Sequence, residues 1–448
     1  MSTNNPKEEK KEEKKPKEKN KSEQLHSVKG MRDLLDTNYF RYQGFFEKAS
    51  EIALYYGFNP IETPILEKEE LFTSGLGETT DVIQKEMYSL KTKGGDHLSL
   101  RPEGTAPIMR SYLEHGMQSL PQPVLLYYYG PFFRHDNPQR GRFREFRQFG
   151  LEVIGTEKSV ADALIIKVLL TILEEAGYEK LSVDVNSLGD KECRVSYRKE
   201  LINYFKKHVA KLTPAQKDQM RDNPFRLLDS KDPNLAEIKA GAPEVIHHLS
   251  GPAKQHFKEV LKYLESMGVD YRINNALVRG LDYYSRTVFE IFEPTKEEGV
   301  APLAIASGGR YDQLGKQLGS RKPNPAVGGA IGVDRIIEGG FAEHLSPRIL
   351  KKPKVFFIQF GFEAKLKSLP IIEAMRKAKI PLRQSLSKDS LSAQLSQAER
   401  MGVPWVVILG QREVIENTVI VRNMENRSQD VVTVAELSDY IKKKIVAK

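Results

Sequence analysis

Apolar positions from Tyr39 to Tyr56 (Phe40, Phe45, Phe46, Ala49, Ile52, Ala53, Tyr56) recur at helical spacing and stop at Gly57, which predicts an amphipathic helix. Short apolar runs follow, divided by Pro and Gly: Met87–Leu90, Leu98–Leu100, Val124–Tyr129 and Phe143–Phe149. These predict strands, with Val124–Tyr129 and Arg144–Phe149 as the arms of a long antiparallel hairpin. A helix over Val160–Glu175 ends at Gly177, and a strand over Leu181–Asn186 comes next. From about 191 to 265 the chain turns charged and helical, punctuated by Pro214, Pro224, Pro233 and Pro243, which predicts a helical insertion. Strand patterns resume at Tyr271–Ala276, Thr287–Ile291 and Leu303–Ala306, and a glycine-rich run, Val327–Gly332, leads into a helix around Asp334–Glu338. Residues 346–353 are basic and bounded by proline, as in a linker. Beyond them a β-α-β-α-β rhythm (Val355–Gly361, Ala364–Ala378, Pro381–Ser385, Ser390–Met401, Trp405–Leu409) predicts a small, mostly parallel sheet covered by helices. Strands at Asn417–Arg422 and Asp430–Thr433 and a helix over Val434–Val446 complete it.

Composition changes this picture at the start of the chain. Residues 1–24 hold eight Lys, six Glu, no arginine and no aliphatic or aromatic side chain, which predicts a solvated, disordered tail. Such a segment has neither the apolar core of a secretory signal nor the arginine-rich, acid-poor character of a mitochondrial presequence. The longest apolar runs fall short of the ~18 residues that span a bilayer. A single cysteine, Cys193, excludes an internal disulfide framework and a multi-cysteine zinc site. The expectation is a soluble cytoplasmic protein of several domains. Its net charge of +9 suits polyanionic partners.

No Walker A loop, G-x-G-x-x-G turn or H-E-x-x-H helix is present, and the nine histidines lack metal-ligand spacing, so no metal site is expected. The informative segment is FRHDNPQRGRFREFRQF, residues 133–149. Strand alternation would set Arg142, Arg144, Phe146 and Gln148 on one face and Phe143, Glu145, Arg147 and Phe149 on the other. Guanidinium groups beside an aromatic ring can hold phosphate and stack on a base, although a plain cationic hairpin has the same composition.

Taken with its neighbours, this segment resembles motif 2 of the class II aminoacyl-tRNA synthetases. GMRDLLD (30–36) and the helix running on to FNPIETP resemble motif 1, and AVGGAIGVDRI (326–336) resembles motif 3. LRPEGTAPIMR (100–110), LVRGLDYYSRTVFE (277–290) and SGGRYDQL (307–314) resemble the amino-acid-binding segments of the histidyl-tRNA synthetase family, and residues 354–448 resemble a class IIa anticodon-binding domain. The resemblance covers residues 25–445. It implies an α+β catalytic domain on an antiparallel sheet (25–345), interrupted by the helical insertion and followed by an α/β anticodon-binding domain. It also implies a homodimer that uses ATP, with Mg²⁺ carried on the nucleotide, to join L-histidine to tRNA(His).

The resemblance assigns roles position by position. Arg134 holds the α-phosphate, and Arg279 stabilises the charge that develops there. Arg335 reaches the γ-phosphate and covers the adenine opposite Phe146, while Asp136 stands where many class II enzymes carry Glu. Glu152 and Tyr283 bind the imidazole, with Tyr284 lining the same pocket; Glu103, Thr105 and Gln148 hold the α-ammonium group. Gln139 and Arg140 face the extra 5′ guanosine of the tRNA. Taken singly, a Tyr–Tyr pair on a strand reads as one core and one surface residue, and a lone Glu reads as solvated. A non-catalytic regulatory relative of the family is the competing expectation, but such relatives usually lose the arginines and the C-terminal domain.

Overall fold

The computed structural model describes residues 25–446 except 78–79, 81, 138–140, 231, 279–280, 282 and 294–302. The predicted tail at 1–24 lies outside the described residues. Two compact units divide the chain, one up to Pro347 and one from Arg348 on.

In the first unit the strands in chain order are β1 (Asn59–Pro60), β2 (Leu66–Lys68), β3 (Tyr88–Lys91), β4 (His97–Leu100), β5 (Val124–Phe133), β6 (Glu145–Ile154), β7 (Ser182–Ser187), β8 (Tyr271–Ile273), β9 (Ser285–Phe292), β10 (Ala304–Arg310) and β11 (Ala326–Gly332). β2, β4 and β3 form a small antiparallel sheet. The rest form one sheet in the order β1-β5-β6-β11-β10-β9-β7-β8, antiparallel except at its two edge pairs. The hairpin is longer than its apolar runs suggest: β5 and β6 pair without a break from Val124↔Ile154 to Phe133↔Glu145.

Alternation along the hairpin sorts its side chains by parity. Tyr127, Phe149, Leu151 and Val153 enter one core, beneath the helices Asp36–Tyr55 and Ser159–Glu175. Leu126, Tyr128, Phe132 and Ile154 enter a second core on the opposite face, against which Phe146 packs. Gln148, Gly150 and Glu152 share that second face by the same parity, which is where the candidate site forms.

Two sequence expectations need correction. Arg142 and Arg144 do not continue the strand face of Phe146 and Gln148, because β6 begins only at Glu145. The chain bends at Arg144, whose N–H donates to the Gly30 carbonyl at 2.8 Å and whose Nε donates to the Asp136 carbonyl at 3.1 Å. The stretch 191–265 is helical, but its last helix, Gly251–Ser266, is not part of a separate insertion. Phe257, Val260 and Leu264 pack in the first core, and the helix carries the chain from β7 to its parallel neighbour β8, a connection that needs a crossover element.

A buried carboxylate joins the N-terminal segment to the sheet. Asp334, on the short helix Val333–Glu338, accepts from Arg32 Nη2 at 2.7 Å and Tyr42 OH at 2.8 Å, and its other oxygen accepts the Arg147 backbone N–H. Burial, then the adjacent Asp334 charge, pushes the Tyr42 hydroxyl far above its usual range, so it remains a donor.

In the second unit, β12 (Val355–Gln359), β13 (Leu382–Gln384), β14 (Trp405–Leu409), β15 (Thr418–Asn423) and β16 (Gln429–Thr433) lie in the order β13-β12-β14-β15-β16. The first three are parallel and the last two antiparallel. Val355 and Phe357 face one core and Phe356 and Ile358 the other, as expected of a strand covered on both sides. Trp405 is a buried strand start in the first of these cores. The helix Gln411–Glu416, too short to show a period, was not expected from sequence.

Replacing Asp334 by Ala would leave several donors without their acceptor and should cost about 3 kcal/mol of folding stability. Denaturant unfolding measures this; a loss below about 1 kcal/mol would show that the carboxylate is not the anchor described.

Candidate active site

The site starts at a helix end. The helix Thr105–Glu114 follows Glu103–Gly104, and Glu103 turns back on it: Oε2 accepts the Thr105 N–H and Oε1 the Ala106 N–H, each at 2.8 Å. Two N–H groups that would otherwise lack partners are satisfied, and the positive end of the helix favours a negative group there. Thr105, at the first helical position, donates its hydroxyl to Glu152 Oε1 at 2.9 Å. The second Glu152 oxygen accepts the Tyr311 hydroxyl. Tyr283 OH lies 3.4 Å from Glu103 Oε2, and its ring centroid is 4.6 Å from that of Tyr284 and 5.7 Å from that of Tyr311.

Both carboxyls are deeply buried, Glu152 with 1% and Glu103 with 5% of its surface exposed. Burial drives the Glu152 carboxyl up to about 8, against the Tyr311 and Thr105 hydroxyls that favour its ionised form; the nearby Glu103 charge adds to the rise. Burial also raises Glu103, opposed by the Ala106 and Thr105 N–H groups and by the Arg134 charge.

Glycines make room for this arrangement. Gly328 on β11 is the register partner of Glu152, and a Cβ there would lie 1.6 Å from Glu152 Oε2. Tyr128, beneath the pocket, occupies space that a Cβ at Gly104 or Gly150 would enter, at 2.6 and 2.2 Å from its ring atoms. The pocket is thus cut into the sheet by residues without side chains.

Beyond the carboxyls stands a basic wall. Arg134 is held by its Nε donating to the Pro102 carbonyl at 2.8 Å, and its guanidinium carbon is 5.4 Å from the Phe146 ring centre. Arg142 Nε is 2.5 Å from Asp136 Oδ2. Arg335 donates to the Ala304 carbonyl. Burial, then the charges of Arg142 and, more weakly, Arg134, depresses the Arg335 guanidinium, while Glu290 opposes this. A guanidinium depressed by neighbouring cations in a partly buried space marks a site for an anion. The acidic end suits a ligand's ammonium group and a hydrogen-bonding ring; the basic end suits a polyphosphate.

Glu103, Thr105, Glu152, Tyr283 and Tyr284 therefore come together, and Arg134, Asp136 and Arg335 stand on the basic side. Gln148 and Phe146 are half-buried on the β6 face that carries Glu152. Tyr283 and Tyr284 are both buried, unlike a core–surface pair, and Glu152 is not solvated. Arg279, Gln139 and Arg140 lie outside the described residues. Two contributors were missed from sequence. Tyr311 lies inside the SGGRYDQL segment, where nothing in the linear pattern sets it apart; Tyr128 carries no motif signal, only its pairing opposite Gly150. Among the described residues no group of His, Cys, Asp or Glu is arranged to hold a metal ion, and no helix is long and apolar enough to cross a membrane.

A family model described as Histidyl-tRNA synthetase matches residues 30–336, and one described as Anticodon binding domain matches residues 354–444. The chain is 40% identical over 419 residues to Histidine--tRNA ligase of Dehalococcoides mccartyi, covering 94% of this chain and 99% of that one. It is 39% identical over 421 residues to the protein of the same name from Caldicellulosiruptor saccharolyticus, covering 94% and 100%. Among solved structures, apo histidyl-tRNA synthetase of S. aureus is similar with a TM-score of 0.77 and 28% identity, covering 94% of this chain and all (100%) of that one.

The raised Glu152 carboxyl has a consequence for stability. The unfolded chain releases this proton near the ordinary value of 4.5, whereas the folded chain keeps it up to about 8, so folded stability falls as pH rises through that window. Glu152→Gln removes this loss. Its unfolding free energy should exceed that of the wild type at pH 8 by on the order of a few kcal/mol at most, read as a higher melting temperature, and the gap should close toward pH 5. A gap independent of pH in thermal melts would contradict the burial effect.

Proposed function

The chain belongs to the histidyl-tRNA synthetase family, and on that premise we propose that the buried carboxyls hold histidine while the arginine wall holds ATP. The enzyme ligates L-histidine to tRNA(His) at the expense of ATP, through a histidyl-adenylate, and releases AMP and diphosphate. In the first step a histidine carboxylate oxygen attacks the α-phosphorus and the bond to the bridging β-phosphate oxygen breaks. In the second, a terminal ribose hydroxyl of the tRNA attacks the activated carbonyl and AMP leaves. The first step needs no protein nucleophile, so positioning and charge stabilisation supply the catalysis.

In this reading Arg134 holds the α-phosphate and Arg279 stabilises the charge that develops on it. Arg335 meets the γ-phosphate and covers the adenine opposite Phe146, with Asp136 on the same side, and Mg²⁺ arrives on the nucleotide. Glu103, Thr105 and Gln148 orient the α-ammonium group. Glu152 and Tyr283 meet the imidazole, and Tyr284 closes the pocket. An imidazole presents a donor and an acceptor when neutral, and a pocket whose polar groups would otherwise go unpaired rejects most isosteres strongly. Gln139 and Arg140 contact the acceptor end of the tRNA, and residues 354–448 bind its anticodon. The 25–345 catalytic domain dimerises through the segment that begins at Gly30, and the enzyme works in the cytoplasm. The observation that carries the site assignment is the pair of deeply buried carboxyls, Glu103 and Glu152, with Arg134 close enough to act on Glu103 and, with Arg142, to depress the buried Arg335 guanidinium.

ATP–pyrophosphate exchange with each of the twenty amino acids tests this reading: exchange is expected with histidine alone. Arg134→Ala should lower the exchange rate by about a hundredfold or more, the scale of losing one donor to a transition-state oxyanion. Unaltered exchange in that variant would remove Arg134 from the phosphate, and absence of exchange in the wild-type protein would refute the assignment of the pocket.

A further inference from the structure

Arg310 is the largest fully buried side chain of the protein's described residues, and its surroundings are unusual for a charged group. Its side chain and that of Asp162 both have 0% of their surface exposed, and they form an ion pair. Arg310 Nε lies 3.2 Å from both Asp162 oxygens. Nη1 donates to the Thr156 carbonyl at 2.8 Å and to Asp312 Oδ1 at 3.1 Å, and Nη2 to the Lys158 carbonyl at 3.3 Å. His256 Nε2 stands 3.2 Å from Asp162 Oδ1. Burial alone would raise the Asp162 carboxyl, yet the Arg310 charge, with His256, holds it at about 2. Every arm of the guanidinium is therefore engaged inside the protein.

What it engages matters more than how much. Arg310 ends β10, and the next residue is Tyr311, the hydroxyl donor to Glu152. Thr156 and Lys158 lie on the turn just after β6, the strand that bears Glu152. Asp312 accepts the Ala326 N–H at 3.1 Å, and the Ala326 carbonyl accepts the Tyr311 N–H at 2.8 Å, at the start of the strand that carries Gly328. One planar fork thus ties together the backbone next to Tyr311, the turn after the Glu152 strand and the start of the glycine strand that makes space for the carboxylate.

We propose that Arg310 is a positioning residue for the imidazole end of the pocket, fixing the Tyr311 hydroxyl on Glu152 through its contacts with Asp162, Asp312, Thr156 and Lys158. The inference rests on the histidine-binding reading of that pocket. Lysine keeps the charge but cannot reproduce the fork, so Arg310→Lys is not a conservative change here.

The test is steady-state exchange kinetics on the full-length protein, with ATP binding and thermal melting as checks on folding. Arg310→Lys should raise the histidine KM by about tenfold or more while the ATP KM stays within about twofold, as expected when one end of the site is misplaced. Tyr311→Phe should show the same split, and the Arg310→Lys, Tyr311→Phe double variant should be little worse than Tyr311→Phe alone, because both act through one hydroxyl. Asp162→Asn, which keeps the shape and one acceptor and leaves Asp312 to balance the guanidinium, serves as a second variant with the same expected split. Equal rises in both KM values, an unchanged histidine KM in a folded variant, or multiplicative effects in the double variant would overturn the proposal. So would failure of both Arg310→Lys and Asp162→Asn to fold, since the cluster would then serve the core alone. Histidine-dependent exchange by the wild-type protein tests the underlying reading separately.

Discussion

Glu152 places its carboxyl between two hydroxyls and against a glycine, in a space from which water is largely excluded. A carboxyl so buried is tolerated only when its oxygens are occupied and nothing crowds them. Much of the surrounding architecture meets those two conditions. Thr105 is brought to one oxygen by a helix whose own end is capped by Glu103, and Tyr311 is brought to the other from the end of β10. Gly328 leaves the volume that a side chain would take. The carboxyl's burial raises its proton affinity, so this arrangement is held at some expense of stability, as is common in sites built for a ligand.

The second feature is a separation of acidic and basic groups across the site. Glu103 and Glu152 lie at one end, and Arg134, Arg142 and Arg335 at the other, with Arg134 close enough to Glu103 to lower its proton affinity. In the proposed reading histidine and ATP carry the complementary groups: an ammonium and a hydrogen-bonding imidazole at one end, a polyphosphate at the other, and the carboxylate and α-phosphorus that must meet in between. Electrostatics of this kind orients both substrates before any bond changes, which is the contribution expected of an enzyme whose first step needs no protein nucleophile.

Much of this was legible in the chain because local signals and the fold agree. The helix over Asp36–Tyr55, the hairpin arms and the alternation of the C-terminal unit follow from periodicity, and the motif-bearing residues around Glu103, Glu152 and Tyr283 do converge. The failures share a physical cause: each depends on a partner distant in sequence. The strand face containing Arg142 and Arg144 is broken by the bend that Gly30 and Asp136 impose at Arg144. The helix Gly251–Ser266 reads as an insertion because its charged face dominates the pattern, whereas its apolar stripe packs on Ser159–Glu175. Tyr311 and Tyr128 gain their place from strand register and from glycines on neighbouring strands, which a linear pattern does not encode.

In the proposed reading Glu152, given room by Gly328, forms the floor of the histidine pocket while the nucleotide is held elsewhere. Calorimetric titration of Gly328→Ala with histidine and, separately, with ATP tests this, since the added methyl group is aimed at the Glu152 carboxyl oxygen, 1.6 Å from the Cβ position. A folded variant is expected to lose histidine affinity by at least about tenfold, 1.4 kcal/mol or more, and to keep its ATP affinity within a few-fold. Unchanged histidine binding, or an equal loss for both ligands, would contradict it.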